Sequence, residues 1–287
     1  MNKSIALVLE GGGFRGCYTA GALKWLYEHG YVFDYTVAIS ATAIHSLYYV
    51  TGHMEELYDI SVKAVTDPHM VGIQAVLSEG CLVGYEYMAE HYVRPSYKKV
   101  LQELRDSDKE VEIGMYNMTE QELQYKNKYE LDEHADILKA SCTLPITGKM
   151  TKVDGNLYLD GGIDTMVSTA RAKAKGYDKM FVIVTKDINY VRKPNGFFVN
   201  LLLRLLYGKY TKMLETLDHR TEAYYRQMDS VYQLEKEGRG LLIRPSRDCG
   251  VKRFSGTIFS SLLKTSNPSV RSIRLSKNPF IRFIMSW

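Results

Sequence analysis

The stretch LEGGGFRG at residues 9–16 decides the expected fold. It follows an apolar run at residues 5–9 that has the length of a buried strand, and it leads into a helical apolar pattern over residues 16–29. A second strand pattern at residues 33–39 and a second helical pattern at residues 41–50 come next. This alternation predicts parallel strands joined by right-handed crossovers.

The same alternation continues along the chain. Further helical patterns lie at residues 54–65, 97–104, 131–142, 167–175, 197–207 and 214–237. Further strand patterns lie at residues 110–118, 123–129, 156–160, 179–185 and 241–243, the second of these returning as a hairpin. KMFVIVT at residues 179–185 is a continuous apolar run of the kind found in buried parallel strands. We therefore expect an α/β fold with a mainly parallel sheet.

Composition narrows the class of protein. The 287 residues are 45% apolar and 24% charged, which is typical of a folded globular chain. The first apolar run is too short for a signal-peptide core. The cysteines are far apart in sequence and predict neither a disulfide framework nor a zinc site: Cys17, Cys81, Cys142 and Cys249. These features favour a cytoplasmic location.

The end of the chain is basic. Residues 249–287 contain seven Lys or Arg and no Asp or Glu, and residues 255–287 contain eight serines. We expect one domain at residues 1–250 and a peripheral basic, serine-rich tail at residues 251–287. FFVNLLLRLLY at residues 197–207 is too short to cross a bilayer. We favour its packing on the sheet, and an interfacial face for peripheral membrane contact is the alternative. No nucleic-acid partner is expected.

The glycines of the first turn satisfy GxGxxG, so a dinucleotide pyrophosphate must be considered. That use also needs an acidic residue where the second strand ends, whereas Asp34 lies where this strand begins. A Walker A loop is excluded because Cys17 and Tyr18 replace the required Lys and Ser or Thr. Backbone N–H groups before a helix can instead stabilise the oxyanion of an acyl-transfer intermediate.

An oxyanion hole needs a nucleophile, and Ser40 follows the second strand at the same expected edge of the sheet. A serine hydroxyl needs a base, and Asp160 lies at another strand end before two glycines. Two other interpretations remain open: Ser40 could cap the next helix, and Asp160 could form a turn. His219 is the only histidine after Asp160, but its charged surroundings favour a surface helix.

Three ordered motifs resemble those of the patatin-like phospholipases. GGGFRG at residues 11–16, a strand-end serine at Ser40 and YLDGG at residues 158–162 are similar to the family patterns GGGx[RK]G, GxSxG and DG[GA]. The resemblance extends over roughly residues 4–245. It implies a three-layer α/β/α sandwich around a mainly parallel sheet. It also implies hydrolysis of lipid esters by a Ser-Asp dyad without histidine, metal or cofactor.

The resemblance assigns roles to individual residues. Ser40 would be the nucleophile and Asp160 the base. The oxyanion hole would be formed by Gly11, Gly12, Gly13, Arg15 and Gly16. Arg15 stands at the family's basic position, where it would either pair with a local carboxylate or hold the loop or a lipid head group. We therefore expect a serine lipid acyl hydrolase, of phospholipase A or lysophospholipase type, that acts on phospholipid or another lipid ester.

Two segments depart from the family pattern. AISAT at residues 38–42 has Ala38 and Thr42 where GxSxG has glycines, and overpacking at Thr42 would cost about 1–3 kcal/mol. DGGIDTMV at residues 160–167 lacks the proline-bearing stretch common in relatives. A displacement of about 1 Å at the nucleophile can reduce turnover about 10²-fold. The alternative is therefore a catalytically impaired patatin-like protein that binds lipid or a partner through the same cleft.

Overall fold

One mixed sheet runs through residues 5–248, the part of the chain that the computed structural model describes. Its strands are β1 (Ala6–Leu9), β2 (Tyr35–Ile39), β3 (Glu110–Asn117), β4 (Glu122–Asn127), β5 (Thr151–Val153), β6 (Asn156–Asp160), β7 (Met180–Ile183) and β8 (Gly240–Ile243). Hydrogen-bonded neighbours follow the path β5-β6-β3-β2-β1-β7-β8, in which β2 and β6 pair with successive parts of β3, and β4 pairs with β3 outside this path. β3, β2, β1, β7 and β8 are parallel to one another, whereas β4, β5 and β6 add antiparallel pairs. The expectation of a mainly parallel sheet is confirmed.

Helices cover the sheet. They are α1 (Gly16–Glu28), α2 (Ala41–Val50), α3 (Met54–Tyr58), α4 (Ala64–Thr66), α5 (Ile73–Glu79), α6 (Tyr85–Met88), α7 (Arg94–Asp106), α8 (Asp136–Cys142), α9 (Thr169–Ala174), α10 (Phe197–Tyr207), α11 (Thr211–Asp218) and α12 (Arg220–Lys236). Short π-helical turns, Asp59–Lys63 and Ala89–Val93, connect α3 to α4 and α6 to α7.

The two faces of β1 show why the fold has three layers. Leu7 and Leu9 pack into a core cluster with residues of α1 and α2, whereas Ala6 and Val8 pack into a second cluster with residues of α9 and α12. Successive side chains of a strand point to opposite faces, so a strand that is apolar at every position must be covered on both. The continuous apolar runs of the sequence therefore produce the α/β/α sandwich.

Two predicted helices differ from those observed. The pattern at residues 131–142 predicts a helix that is longer than the observed α8. The observed helix begins later because the Asp132 carboxylate accepts hydrogen bonds from the N–H groups of His134, Asp136 and Ile137, which holds the residues before α8 in a loop. The pattern at residues 214–237 predicts one helix, but it divides at His219 into α11 and α12. These two helices pack into different core clusters, so their common path has to bend.

The apolar helix α10 packs on the sheet at only part of its surface. Leu203 and Tyr207 join a cluster that contains Tyr116 and Leu159 of the sheet, as expected. The other apolar side chains of α10 are exposed, and Phe198 is the most exposed of them at 82%. Among residues 5–248, no helix has both the length and the apolar character needed to cross a membrane. The expected tail at residues 251–287 lies outside the described residues.

Candidate active site

The strand pairing brings Ser40 and Asp160 together. β2 ends at Ile39, which is level with Gly114 of β3, and β3 continues further. The next residue, Met115, is level with Asp160, the last residue of β6, and this pairing is antiparallel. Because β4 occupies the other side of β3 over Glu112–Asn117, β2 and β6 lie on one side and run toward each other. Ser40 therefore meets Asp160 end to end.

Glycines allow these strand ends to approach. A Cβ atom added at Gly114 would lie 2.2 Å from Cδ1 of Ile39. One added at Gly161 would lie 2.6 Å from the Gly114 carbonyl oxygen. Side chains at either position would force the ends of β2, β3 and β6 apart. Gly114 was not singled out from the sequence, although a glycine inside a strand pattern is a signal of close backbone approach.

Ser40 has a strained backbone. Its φ of 63° and ψ of −139° lie in a region that residues with a side chain rarely adopt, at a cost on the order of 1–3 kcal/mol. It occupies the N-cap position of α2, but its side chain makes no capping hydrogen bond. The hydroxyl instead donates to Oδ2 of Asp160 at 2.7 Å. The helix-cap interpretation of Ser40 is therefore wrong.

Asp160 is held at both carboxylate oxygens. Oδ1 accepts a hydrogen bond from the Gly162 N–H at 2.7 Å, while Oδ2 accepts the one from Ser40. The side chain is buried, and the Asp160 N–H donates to the Thr143 carbonyl at 2.8 Å. Asp160 thus forms the turn that the alternative interpretation of the sequence predicts, and the same turn fixes the carboxylate oxygen that accepts from Ser40.

A buried serine on α8 supports the nucleophile candidate. The Ser40 N–H donates to Ser141 Oγ at 3.2 Å, and Ser141 Oγ donates to the Gly114 carbonyl at 2.8 Å. This chain of bonds anchors the strained turn to β3. Sequence reasoning missed Ser141, because its contact with residue 40 spans 101 positions and no local pattern indicates it.

The unusual elbow residues fit into the turn. Thr42 is fully buried, and its hydroxyl donates to the Ile39 carbonyl at 2.8 Å. Ala38 is also buried and remains in register with Leu9 of β1. The predicted displacement of the nucleophile has not separated Ser40 from Asp160, which are within hydrogen-bonding distance.

The glycine loop lies against Ser40. A Cβ atom at Gly11 would lie 3.0 Å from the Cβ atom of Ser40, and one at Gly12 would lie 2.7 Å from the hydroxyl oxygen of Thr185. Gly13 adopts a φ of 55°, which favours glycine. The backbone of the loop therefore comes close to the nucleophile candidate where a side chain would not fit.

The N–H groups of the loop fall into two sets. Those of Gly11, Arg15 and Gly16 donate to backbone carbonyl groups of the protein. Those of Gly12 and Gly13 have no hydrogen-bond partner among residues 5–248. Two of the five predicted positions thus retain an N–H group that could bind an added anion, and the other three shape the loop.

Comparison with known proteins assigns the chain to a family. The sequence model of the patatin-like phospholipases matches residues 7–172, which include Ser40, Asp160 and the glycine loop. The chain belongs to the patatin-like phospholipase family. A second family model, a domain of unknown function (DUF6363), matches residues 210–258. A search of curated proteins finds no match.

Among solved structures, this patatin-like chain is similar to VipD from Legionella pneumophila. The sequence identity is 12% and the TM-score is 0.43, and the alignment covers 84% of this chain and 61% of VipD. The chain therefore spans less than two thirds of the length of VipD.

The region of unknown function, residues 210–258, contributes to the candidate site. The side-chain oxygen of Gln227 on α12 accepts hydrogen bonds from the N–H groups of Met166 and Val167 at 3.0 and 3.1 Å. It thereby holds the segment after Asp160 in which the family's proline-bearing stretch is absent. Arg220, at the start of α12, lines the cavity beside Asp160.

An apolar cavity of about 70 Å³ opens on one side of Ser40. Its walls come mainly from α2 and the segments around α4 and α6, and they include Phe14, Ile44, Ile60, Met70, Val83 and Met88. Cys142 also lines it, and burial together with the charge of Asp160 raises the pKa of its thiol. That thiol is therefore protonated near neutral pH and does not compete as a nucleophile.

His45 is a buried polar group of the apolar cavity that sequence reasoning missed. Its Nε2 atom lies 3.1 Å from Ser61 Oγ, and its Nδ1 atom has no hydrogen-bond partner within the described part of the chain. Burial lowers the pKa of His45 to about 4, so the imidazole is neutral near pH 7. A Cβ atom at Gly16 would lie 2.8 Å from this ring, which explains the glycine there.

A second cavity, basic and of about 210 Å³, also borders Ser40. Among the described residues, five basic side chains line it: Arg15, Lys186, Arg192, Lys193 and Arg220. Lys186 is buried and paired with the buried carboxylate of Glu10. Burial lowers the pKa of Lys186 to about 8, while Glu10 acts in the opposite direction, so Lys186 remains mostly protonated at pH 7.

The positions of three residues argue against other roles that the sequence suggested for them: a base at His219, a ribose ligand at Asp34 and a carboxylate pair at Arg15. His219 is exposed between α11 and α12 and lines neither cavity. Asp34 pairs with Lys109 where β2 begins, at the end of the strand remote from the glycine loop, so it cannot hold a nucleotide ribose. Arg15 has no carboxylate partner among residues 5–248, and its guanidinium lies 5.8 Å from the centre of the Tyr190 ring.

Proposed function

We propose that this patatin-like protein is a serine lipid acyl hydrolase of phospholipase A or lysophospholipase type. The observation that carries the proposal is the 2.7 Å hydrogen bond from the Ser40 hydroxyl to Asp160, made from a strained turn between two cavities. Strain of this kind persists only where the surrounding structure imposes it, and it is concentrated at functional sites. The family match supports lipid esters as the substrate class.

In the first half of the reaction, Asp160 acts as the base. Its Oδ2 atom takes the Ser40 hydroxyl proton while Ser40 Oγ forms a bond to the ester carbonyl carbon. The carbonyl oxygen becomes an oxyanion. When this tetrahedral intermediate collapses, the bond from the carbonyl carbon to the alcohol oxygen breaks, and Asp160 returns the proton to the departing alcohol.

In the second half, water replaces the alcohol. Asp160 takes a proton from the water molecule as its oxygen attacks the acyl carbon, and a second oxyanion forms. Its collapse breaks the bond to Ser40 Oγ, which regains the proton from Asp160. The products are a free fatty acid and the original serine, so the cycle needs no histidine.

The N–H groups of Gly12 and Gly13 are the proposed oxyanion donors. They make no hydrogen bond among residues 5–248, and both glycines line the basic cavity with Ser40. The loss of one such donor typically lowers turnover about 10²- to 10³-fold. Gly11, Arg15 and Gly16 hold the loop through their own backbone hydrogen bonds.

A fluorophosphonate probe tests this function against the catalytically impaired alternative. The hydrolase predicts a covalent adduct on Ser40, located by peptide mass spectrometry, because an activated serine oxygen attacks the phosphorus atom. Ser40→Ala should abolish the adduct. Ser46→Ala is the matched control, since the Ser46 hydroxyl is buried on α2 and bonds only the Ala43 carbonyl among the described residues. Intact protein without an adduct would refute the hydrolase and leave the binding protein.

We also propose peripheral contact with a membrane through α10. Its exposed apolar side chains include Phe197, Phe198 and Leu205, and the basic residues Arg192 and Lys193 precede them in the chain. Apolar side chains flanked by basic ones are typical of helices that lie in the interface of an anionic bilayer. The cytoplasmic location and the peripheral tail at residues 251–287 stay predictions.

Charged substitutions on α10 should weaken membrane binding. The double variant Leu202→Asp and Leu206→Asp, at side chains that are 40% and 56% exposed, should reduce co-sedimentation with phosphatidylglycerol vesicles at least ~10-fold, because each lost leucine contact is worth roughly 1 kcal/mol or more. Leu77→Asp is the control, since Leu77 is 81% exposed on α5. Deletion of residues 249–287 measures the contribution of the tail. Binding that neither change affects would remove this proposal.

A further inference from the structure

Ser40 stands where two cavities of opposite character meet. Gly13, Ser40 and Leu144 line both the apolar cavity and the basic cavity. An ester whose carbonyl carbon is at Ser40 would therefore place its acyl chain on the apolar side. The alcohol half, which in a phospholipid carries the head group, would enter the basic cavity.

The basic cavity has a large excess of positive charge. Its described lining includes the basic side chains of Arg15, Lys186, Arg192, Lys193 and Arg220. Within residues 5–248, the one carboxylate in that lining belongs to Asp160.

The carboxylates of this region already have hydrogen-bond donors. Asp160 accepts from Ser40 and Gly162. Glu10 pairs with the cavity-lining Lys186 and accepts hydrogen bonds from Thr185. The carboxylate that an ammonium group of a bound head group would meet among the described lining residues is therefore already hydrogen-bonded to the protein.

The aromatic rings next to these cations, Tyr190 in the cavity lining and Tyr224 buried behind it in the protein, already contact the protein's own cations. Arg15 and Lys186 lie 5.8 and 5.5 Å from the centre of the Tyr190 ring. Lys186 and Arg192 lie 5.1 and 5.2 Å from the centre of the Tyr224 ring. Quaternary ammonium groups are commonly recognised by the faces of aromatic rings, and these faces already carry charge of the same sign.

We infer that the basic cavity selects head groups of net negative charge, so that anionic glycerophospholipids are hydrolysed in preference to zwitterionic ones. Guanidinium groups match phosphate oxygens well in geometry and charge, whereas a choline or ethanolamine head group would place an additional cation among five others. The inference rests on the proposed function. It also gives the region of unknown function a role, because Arg220 comes from that region.

The test compares two soluble lipids with the same acyl chains, dihexanoyl phosphatidylglycerol and dihexanoyl phosphatidylcholine, below their critical micelle concentrations. Monomeric lipid separates recognition by the cavity from attraction to a charged surface. The kcat/KM for the glycerol lipid should exceed that for the choline lipid at least ~10-fold. Arg220→Met should reduce this ratio about 10-fold, because both lipids carry the phosphate diester but the removed cation repels only the choline ammonium group.

Two further variants keep the result interpretable. Arg192→Gln combined with Lys193→Gln changes two residues outside the helices and strands and should reduce the ratio in the same direction even if Arg220→Met folds poorly. Arg226→Met is the matched control, because Arg226 is exposed on the same helix and does not line the cavity. Its ratio should equal that of the unaltered protein.

The failure of this inference differs from a failure of the proposed function. Hydrolysis of both lipids with equal kcat/KM, or faster hydrolysis of the choline lipid, would overturn the head-group inference and leave the hydrolase intact. If neither lipid is hydrolysed, calorimetric binding of both lipids to the Ser40→Ala protein decides the inference by itself. Tighter binding of the glycerol lipid supports it, and equal or weaker binding refutes it.

Discussion

Replacement of Asp160 by asparagine should reduce ester hydrolysis about 10⁴-fold, the loss observed when a catalytic aspartate of another hydrolase is changed in this way. The asparagine oxygen can still accept from the Gly162 N–H, which is 2.7 Å from Oδ1 of Asp160, so the turn is kept. Its amide nitrogen cannot take the proton of Ser40. We expect a lower kcat for p-nitrophenyl butyrate and a nearly unchanged melting temperature.

Two controls accompany Asp160→Asn. Asp164→Asn alters a nearby carboxylate whose oxygen accepts only from Thr165 among the described residues and which does not line the basic cavity, so activity should be retained. His219→Ala should also retain activity, because His219 is exposed and lines neither cavity. If His219→Ala inactivates the protein while Asp160→Asn does not, the dyad is wrong.

Gly12→Ala should lower turnover about 10²- to 10³-fold through the oxyanion donors. The added methyl group would lie 2.7 to 2.9 Å from three atoms of Thr185. Thr185 cannot move aside easily, because its hydroxyl and its N–H both donate to the buried carboxylate of Glu10. The loop must shift instead, at a cost of about 1–3 kcal/mol in the free energy of unfolding.

Kinetics and chemical denaturation measure the two parts of the Gly12→Ala prediction. Gly21→Ala is the matched control, since a methyl group added on the exposed side of α1 meets nothing within 4 Å. That change should raise the free energy of unfolding by up to about 1 kcal/mol and leave activity unaltered. Full activity in Gly12→Ala would contradict the assignment of the Gly12 and Gly13 N–H groups.

The elements around the first turn could be predicted because their signals are local. The apolar run before the glycines, the helical spacing after them and the second strand before Ser40 reappear as β1, α1 and β2. A continuous apolar strand has to be covered on both faces whatever the rest of the chain does, so the layered α/β fold follows from short segments of sequence. The motif spacing was sufficient to select Ser40 and Asp160 as candidates.

Other features depend on contacts between distant residues. That β6 is antiparallel and meets β2 end to end depends on β3 being longer than β2 and on the close approach at Gly114. Ser141 reaches the Ser40 turn across 101 positions. The identity of the loop N–H groups without partners depends on which carbonyl groups the folded chain brings near them.

The sequence by itself determined the layered sheet, the order of the three motifs and the residue types of the candidate site, because strand, helix and glycine-turn preferences act over a few neighbouring positions. Only the tertiary structure decided the 2.7 Å contact of the candidate dyad, the strain at Ser40 and the gathering of Arg15, Lys186 and Arg220 around one cavity. Distances between side chains that are far apart in the chain are set by strand register and helix packing. No local pattern of residues encodes them.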